Sequence, residues 1–151
     1  MKKLKVYLDN CCFNRPYDDQ SSQKIYLETE AKLFIQEKIR KNELGLIWSY
    51  LLEYENSLNP KIEVKNKISE WQLLALKDLN ESERICKKGT EFHEMGLGLK
   101  DSLHIACAIE AKVDYFITVD KGILKKNNII KEIKIIHPVE FILETGGKDE
   151  I

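Results

Sequence analysis

The chain has 151 residues, a length that suits one domain with a single hydrophobic core. Hydrophobic residues make up 43% of the sequence and charged residues 32%, a balance that argues against intrinsic disorder. The net charge of −1 argues against a protein that grips a long duplex through its phosphates, but it leaves room for an enzyme whose metal supplies positive charge locally. No apolar run approaches the roughly 20 residues that a membrane-spanning helix needs.

The N-terminal segment and the cysteines predict a cytoplasmic protein. The segment MKKLKVYLDN has no long apolar stretch because Asp9 interrupts it, so we interpret it as a first strand and not as a signal peptide. The cysteines have no spacing typical of a zinc site, and reduced thiols are expected. They are Cys11, Cys12, Cys86 and Cys107.

Apolar strands alternate with helices along the sequence. In chain order we predict a strand at 4–8, a helix at 23–41, a strand at 44–48, a helix after Ser49 that Asn59 and Pro60 end, two or three helices between 60 and 96, a helix from about 100 to 111, strands at 115–119 and 133–136, and a short helix from Pro138. This order predicts parallel pairing and an α/β fold, a three-layer α/β/α sandwich with a mainly parallel sheet. Residues 1–144 are expected to form a single domain, with a short C-terminal tail at 145–151.

Carboxylates lie where the predicted strands end or the helices begin. They are Asp9, Glu53, Asp101 and Asp120. The carboxyl ends of parallel strands form the ligand crevice of such a sheet, so these acids are expected to converge. Their mutual repulsion would be relieved by Mg²⁺ or Mn²⁺, which prefer oxygen ligands. The sequence therefore predicts a metal-dependent phosphodiesterase site.

Each acid also has a structural explanation when it is taken singly. Asp9 and Asp120 suit turns or helix caps, and Asp101 complements a helix dipole. Glu53 suits an exposed helix surface. The joint placement of strand-end and helix-start acids, from both ends of the chain, is what favours a functional site.

Several segments of the sequence, in this order, resemble the PIN domain family. They are YLDNCC, SYLLEYEN, GLKDSLHIACAIEA, DYFITVDKGIL and IKIIHPVEFI, and the likeness covers residues 5 to 143. The stretch LKDSLHIACAIEAKVDYFITVD is its most specific part. The resemblance implies a PIN-like domain that is a Mg²⁺- or Mn²⁺-dependent endoribonuclease hydrolysing RNA phosphodiester bonds. It also implies the toxin of a toxin–antitoxin pair, with an antitoxin partner and a homodimeric state.

The resemblance also assigns roles to the acids. It implies that Asp9, Glu53, Asp101 and Asp120 are catalytic and hold one or two cations. Asp9, Asp101 and Asp120 are the expected principal ligands. Glu53 is expected to act through a water, as an outer ligand or as a base.

The expected substrate contacts come from the residues that flank these acids. A serine or threonine commonly follows the first aspartate of the family, and here that position is Asn10. The basic residue after the last aspartate is retained as Lys121. Asn10, Arg15 and Lys121 are therefore the expected substrate-binding residues, with Arg15 offering a bidentate fork to phosphate. His104 lies three residues after Asp101, and a packed, hydrogen-bonded histidine is favoured there over a metal ligand.

Two other functions compete with a nuclease. A catalytically inert PIN-like module would bind nucleic acid or protein, although the retention of all four acids argues against it. A phosphoryl-transfer enzyme with a nucleophilic aspartate would usually have a second acid two residues later, where this chain has Cys11.

Overall fold

The computed structural model describes residues 3–145, which form a parallel sheet with helices between its strands. The elements are β1 Leu4–Leu8, α1 Asn10–Asn14, a 3-10 helix Arg15–Tyr17, α2 Gln23–Arg40, β2 Leu44–Ser49, α3 Tyr50–Ser57, α4 Ile62–Ser69, α5 Trp71–Leu74, β3 Lys77–Leu79, α6 Glu83–Glu94, α7 Leu99–Glu110, β4 Tyr115–Ile117, α8 Lys121–Leu124, β5 Lys134–Ile136 and α9 Pro138–Thr145. Residues 146–151 of the expected tail lie outside the described residues.

The sheet has five strands in the order β3-β2-β1-β4-β5, and every pairing is parallel. The predicted α/β/α sandwich is therefore confirmed. The first strand of the chain lies at the centre of the sheet, where Val6, Tyr7 and Leu8 are fully buried. This centre binds distant parts of the sequence together, since β1 pairs with β2 on one side and with β4 on the other.

The structure adds elements that periodicity did not predict. β3 is an edge strand of three residues, of which only Leu79 is buried. Such a strand has too few apolar residues to be recognised from the sequence, and it is identified by its pairing with β2. The segment between the predicted strand at 4–8 and the predicted helix at 23–41, for which no element was predicted, forms α1 and the 3-10 helix. Within residues 3–145, no helix is long and apolar enough to cross a membrane.

Serine caps set the start of two helices next to the sheet. The hydroxyl of Ser49 accepts the N–H of Leu52 at 3.3 Å and caps α3, the helix predicted to follow Ser49. The hydroxyl of Ser22 accepts the N–H of Ile25 at 3.4 Å and begins α2. The cap at Ser49 matters for the site, because it determines the rotational phase of α3 from its first residue.

Lys32 is a buried cation on α2 and is only 1% exposed. Its ammonium lies 4.9 Å from the ring centre of Phe13 and 5.6 Å from that of Trp71. With the Gln36 amide oriented to satisfy both donors, its oxygen accepts from Lys32 Nζ and, at 3.1 Å, from Trp71 Nε1. Burial lowers the pKa of Lys32 to about 7.

We expect Lys32 to make folding stability depend on pH. In the unfolded chain the lysine keeps its proton up to its ordinary pKa of 10.5, whereas the folded state releases it from about pH 7 upwards. The unfolded state therefore binds more protons in this window, and stability rises with pH by up to about 1.4 kcal/mol per unit. Urea denaturation of wild type and Lys32→Met between pH 7 and pH 10 measures the effect. Lys32→Met should be the more stable at pH 7, with the difference shrinking towards pH 10.

The control is Lys24→Met, which removes an exposed lysine from the same helix. It should leave the pH dependence of the unfolding free energy as in wild type. Parallel curves for wild type and Lys32→Met would show that Lys32 does not titrate in this range.

Candidate metal centre

Asp9 follows the central strand and is held by its surroundings on several sides. Its N–H donates to the carbonyl of Ile117 on the neighbouring strand at 3.0 Å. Its Oδ1 accepts the N–H of Asn10 at 2.8 Å, so Asp9 caps α1. The residue is only 8% exposed, and its carboxylate is thus fixed at the carboxyl end of β1.

Thr118 connects Asp9 to Asp120. Its buried hydroxyl donates to Asp9 Oδ2 at 2.8 Å and accepts the N–H of Asp120 at 3.0 Å. Asp120 Oδ1 in turn accepts the N–H of Ile123 at 3.2 Å and caps α8. A side chain at Gly122 would approach that oxygen, since an added Cβ would lie 3.0 Å from Asp120 Oδ1. The structural role expected of both aspartates is real, and it orients their carboxylates.

Asp101 lies half-buried in the first turn of α7, where the charges of other acids affect its pKa. Burial raises its pKa, and the negative charges of Asp120, Asp9 and Glu55 raise it further, while His104 opposes them. The structure thus brings Asp9, Asp101 and Asp120 into one electrostatic neighbourhood.

The glutamate that joins these aspartates is Glu55. Its Oε1 accepts a hydrogen bond from His104 Nε2, and its side chain is 16% exposed. One ligand atom from each of Asp9, Glu55 and His104 lies within 4.8 Å of the others. Glu53, the glutamate expected from the sequence, is exposed on α3.

Helical phase explains why Glu55 and Glu53 differ. Residues two apart on an α-helix point about 200° away from each other, so they occupy opposite faces. Leu51 and Leu52 are buried and mark the inner face of α3. Glu55 lies four residues after Leu51 and three after Leu52, so it shares that face. Glu53 lies two residues after Leu51 and does not share it. The Ser49 cap followed by this spacing was the sequence signal that could have identified Glu55.

His104 is 1% exposed, and both of its ring nitrogens have partners. Nδ1 lies 2.6 Å from the Tyr7 hydroxyl, and Nε2 bonds Glu55 Oε1. The prediction of a packed, hydrogen-bonded histidine is confirmed. Sequence reasoning missed its two partners, which lie 97 and 49 residues away along the chain.

The three expected substrate-binding residues have different surroundings. Arg15 is held by ion pairs, from Nε to Glu28 at 2.8 Å and from Nη1 to Asp18 at 2.9 Å. The side-chain oxygen of Asn10 is buried and finds no hydrogen-bond partner among the described residues. Lys121 is exposed and opens α8 directly after Asp120.

Arg15 belongs to a buried ionic group that the sequence did not suggest. Glu28 is 1% exposed and receives both Arg15 and, at 2.6 Å, His137 Nε2. The hydrogen bonds from His137 and Arg15 lower the pKa of Glu28 against the opposing effect of its burial. The guanidinium therefore ties the segment after α1 to α2.

Lys100 is a cation that does lie near the candidate acids, since its Nζ is 3.8 Å from Glu55 Oε2.

Comparison with known proteins supports the architecture. No family model and no curated protein matches the sequence. Among solved structures, the chain is similar to one from VapBC2 of Rickettsia felis, described as bound to a DNA fragment from their promoter. The two share 15% sequence identity with a TM-score of 0.54, and the match covers 89% of this chain and 98% of the other. A likeness at this identity shows the fold.

Removing the charge of Asp101 should stabilise the metal-free protein at neutral pH. Because its folded-state pKa is raised, the native state binds the proton more tightly than the unfolded chain, and stability falls as pH rises through that pKa. Asp101→Asn abolishes this loss. Thermal unfolding in EDTA should give a higher Tm for Asp101→Asn than for wild type at pH 7, with the gain disappearing below about pH 4, where the carboxyl is protonated in both states.

Glu53→Gln is the matched control, since it removes one negative charge from an exposed position. Its Tm should stay close to that of wild type. An Asp101→Asn Tm equal to or below that of wild type at pH 7 would mean that burial and the neighbouring acids do not destabilise the ionised Asp101 as the structure indicates.

Proposed function

We propose that this protein is a metal-dependent endoribonuclease that hydrolyses RNA phosphodiester bonds. The observation that supports this most is the group formed by Asp9, Glu55, Asp101 and Asp120, whose charges act on one another at the carboxyl end of a parallel sheet. Ligands of such sheets bind at this edge. The resemblance of the sequence to PIN domains points to the same chemistry.

The donor set suits a hard divalent cation. Carboxylate oxygens are the ligands that Mg²⁺ and Mn²⁺ prefer. Burial raises the pKa of Asp101, the neighbouring acids raise it further, and a bound cation would relieve their repulsion. Asp9, Asp101 and Asp120 would be the principal ligands, with Glu55 as the fourth acid. When bound, the metal would lower the pKa of a coordinated water and polarise the scissile phosphate.

The chain's own residues would orient the substrate. Asn10 has an unpartnered buried amide oxygen beside Asp9 that suits a water or a sugar hydroxyl, and its amide nitrogen suits a phosphate oxygen. Lys121, directly after Asp120, and Lys100, beside Glu55, would contact RNA phosphates. Arg15 is paired with Glu28 and Asp18, so it would contact RNA directly only if the substrate displaced those carboxylates. Otherwise it would act indirectly, by holding the segment after α1 in place.

The proposed biological setting is that of a cytoplasmic toxin held by an antitoxin, and acting as a homodimer. Its support is the resemblance to small single-domain PIN proteins together with the structural likeness to VapBC2, which was described on its promoter DNA. Purification of the protein with its neighbouring gene products, followed by mass measurement of the intact complex, would test both the partner and the copy number.

Two glutamates of α3 provide the sharpest test of the site. Glu55→Gln removes the acid that lies with Asp9, whereas Glu53→Gln removes an exposed acid two residues earlier. We expect wild type and Glu53→Gln to cleave a mixed RNA pool in Mg²⁺ or Mn²⁺ and to be inactive in EDTA. Glu55→Gln should lower the cleavage rate by roughly a hundredfold or more, since it removes a group that acts on the metal or its water.

Two results would contradict the proposal in different ways. Loss of cleavage in Glu53→Gln with full activity in Glu55→Gln would restore the sequence-based choice of Glu53. A folded wild type with neither cleavage nor any rise of Tm in Mn²⁺ would favour an inert PIN-like binding module. Asp9→Asn, which removes an expected principal ligand, serves as the inactive reference in the cleavage assay and in the Tm measurement with Mn²⁺.

A further inference from the structure

A chain of buried hydrogen bonds leads through the protein core to Glu55. Ser49 Oγ lies 2.7 Å from the hydroxyl of Tyr7, and that hydroxyl lies 2.6 Å from His104 Nδ1. His104 Nε2 then bonds Glu55 Oε1. Ser49, Tyr7 and His104 are each at most 1% exposed, so bulk water cannot take the place of a missing member.

One arrangement of hydrogens satisfies every hydrogen bond of the chain. The Glu55 carboxylate only accepts, so Nε2 of His104 donates and Nδ1 accepts from Tyr7. The Tyr7 oxygen then accepts from Ser49, whose oxygen accepts the N–H of Leu52 at 3.3 Å. Every donor in the chain thus points towards Glu55.

We propose that His104, held by Tyr7 and Ser49, is a positioning residue that fixes Glu55 for cation binding. This inference rests on the proposed metal site and deepens it, since it assigns the orientation of one ligand to a specific chain of side chains. His104 acts on the cation through Glu55 and does not itself coordinate it.

The geometry distinguishes a positioning role from a ligand role. Both ring nitrogens of His104 are already engaged, so coordination would require one of two buried hydrogen bonds to break. Glu55 Oε1 is taken by the imidazole, which leaves Oε2, 3.8 Å from the Lys100 ammonium, unbonded by the histidine. A ligand oriented by a hydrogen-bonded neighbour is the usual outer shell of protein metal sites.

The hydrogen-bond chain also couples elements that supply different acids. Ser49 ends β2 and caps α3, Tyr7 belongs to β1, and His104 lies on α7 one turn after Asp101. Glu55 on α3 is therefore tied to the same helix that presents Asp101. A break at Tyr7 or His104 would loosen the spacing between these two acids without removing either carboxylate.

The test measures Mn²⁺ affinity by electron paramagnetic resonance in wild type, His104→Gln and Tyr7→Phe. Outer-shell substitutions typically weaken metal binding by about 10- to 100-fold, and we expect a loss in this range for His104→Gln and a several-fold loss for Tyr7→Phe. Tyr7→Phe keeps the ring that stacks on Phe116 at 5.3 Å, so it should fold even if His104→Gln does not. Pulsed measurements on the wild-type Mn²⁺ complex should show no directly coordinated imidazole nitrogen.

The matched controls are His93→Gln and Tyr115→Phe. His93 bonds the carbonyl of Leu97 at 2.7 Å, and the hydroxyl of Tyr115 donates to Glu144 at 2.6 Å, so neither contact involves Glu55. Both controls should bind Mn²⁺ as wild type does.

The outcomes separate this inference from the proposed function. If wild type binds Mn²⁺ and cleaves RNA while folded Tyr7→Phe and His104→Gln bind as tightly, the positioning role is wrong and the nuclease remains. If a coordinated imidazole nitrogen is detected, His104 is a ligand and the positioning role is again wrong. If wild type neither binds Mn²⁺ nor cleaves RNA, both proposals fail.

Discussion

Repulsion among carboxylates gathered at one end of a parallel sheet is the constraint that shapes this molecule's candidate site. Asp9 is nearly buried, Asp101 is half-buried with a raised pKa, and Glu55 and Asp120 add their charges. Such a group lowers the stability of the metal-free protein, and the hydrophobic centre formed by β1 and its two neighbours must offset that cost. A bound cation would neutralise the charge of these acids and so remove this cost.

Hydrogen bonds that look purely structural also orient the acids. Asp9 and Asp120 each cap a short helix, and Thr118 joins them through one hydroxyl. Glu55 is oriented by its hydrogen bond with His104. The caps and the buried polar groups thus determine where the negative charge lies, and the structural explanation of each acid is part of its functional explanation.

The strand-end aspartates could be predicted because their positions follow from topology: in a parallel sheet, a residue just after β1 and one just after β4 must lie at the same edge. Glu53 was preferred to Glu55 on the family resemblance, whereas the helical phase of α3 puts Glu55, and not Glu53, on the face of the buried Leu51 and Leu52. Arg15 and His104 illustrate a different limit. Their partners, Glu28 and Glu55, lie 13 and 49 residues away, and no local pattern reveals such pairings. β3 escaped prediction because three edge residues gain their stability from the neighbouring strand.

These carboxylates are proposed to form one divalent cation site together. The decisive measurement is a crystal structure of the protein grown with Mn²⁺, with anomalous diffraction data to locate the metal. We expect an anomalous peak within coordinating distance of carboxylate oxygens from Asp9 and Asp101, with Glu55 and Asp120 around it and the His104 ring still bonded to Glu55. A peak bound elsewhere, with these acids ligand-free at saturating Mn²⁺, would contradict it.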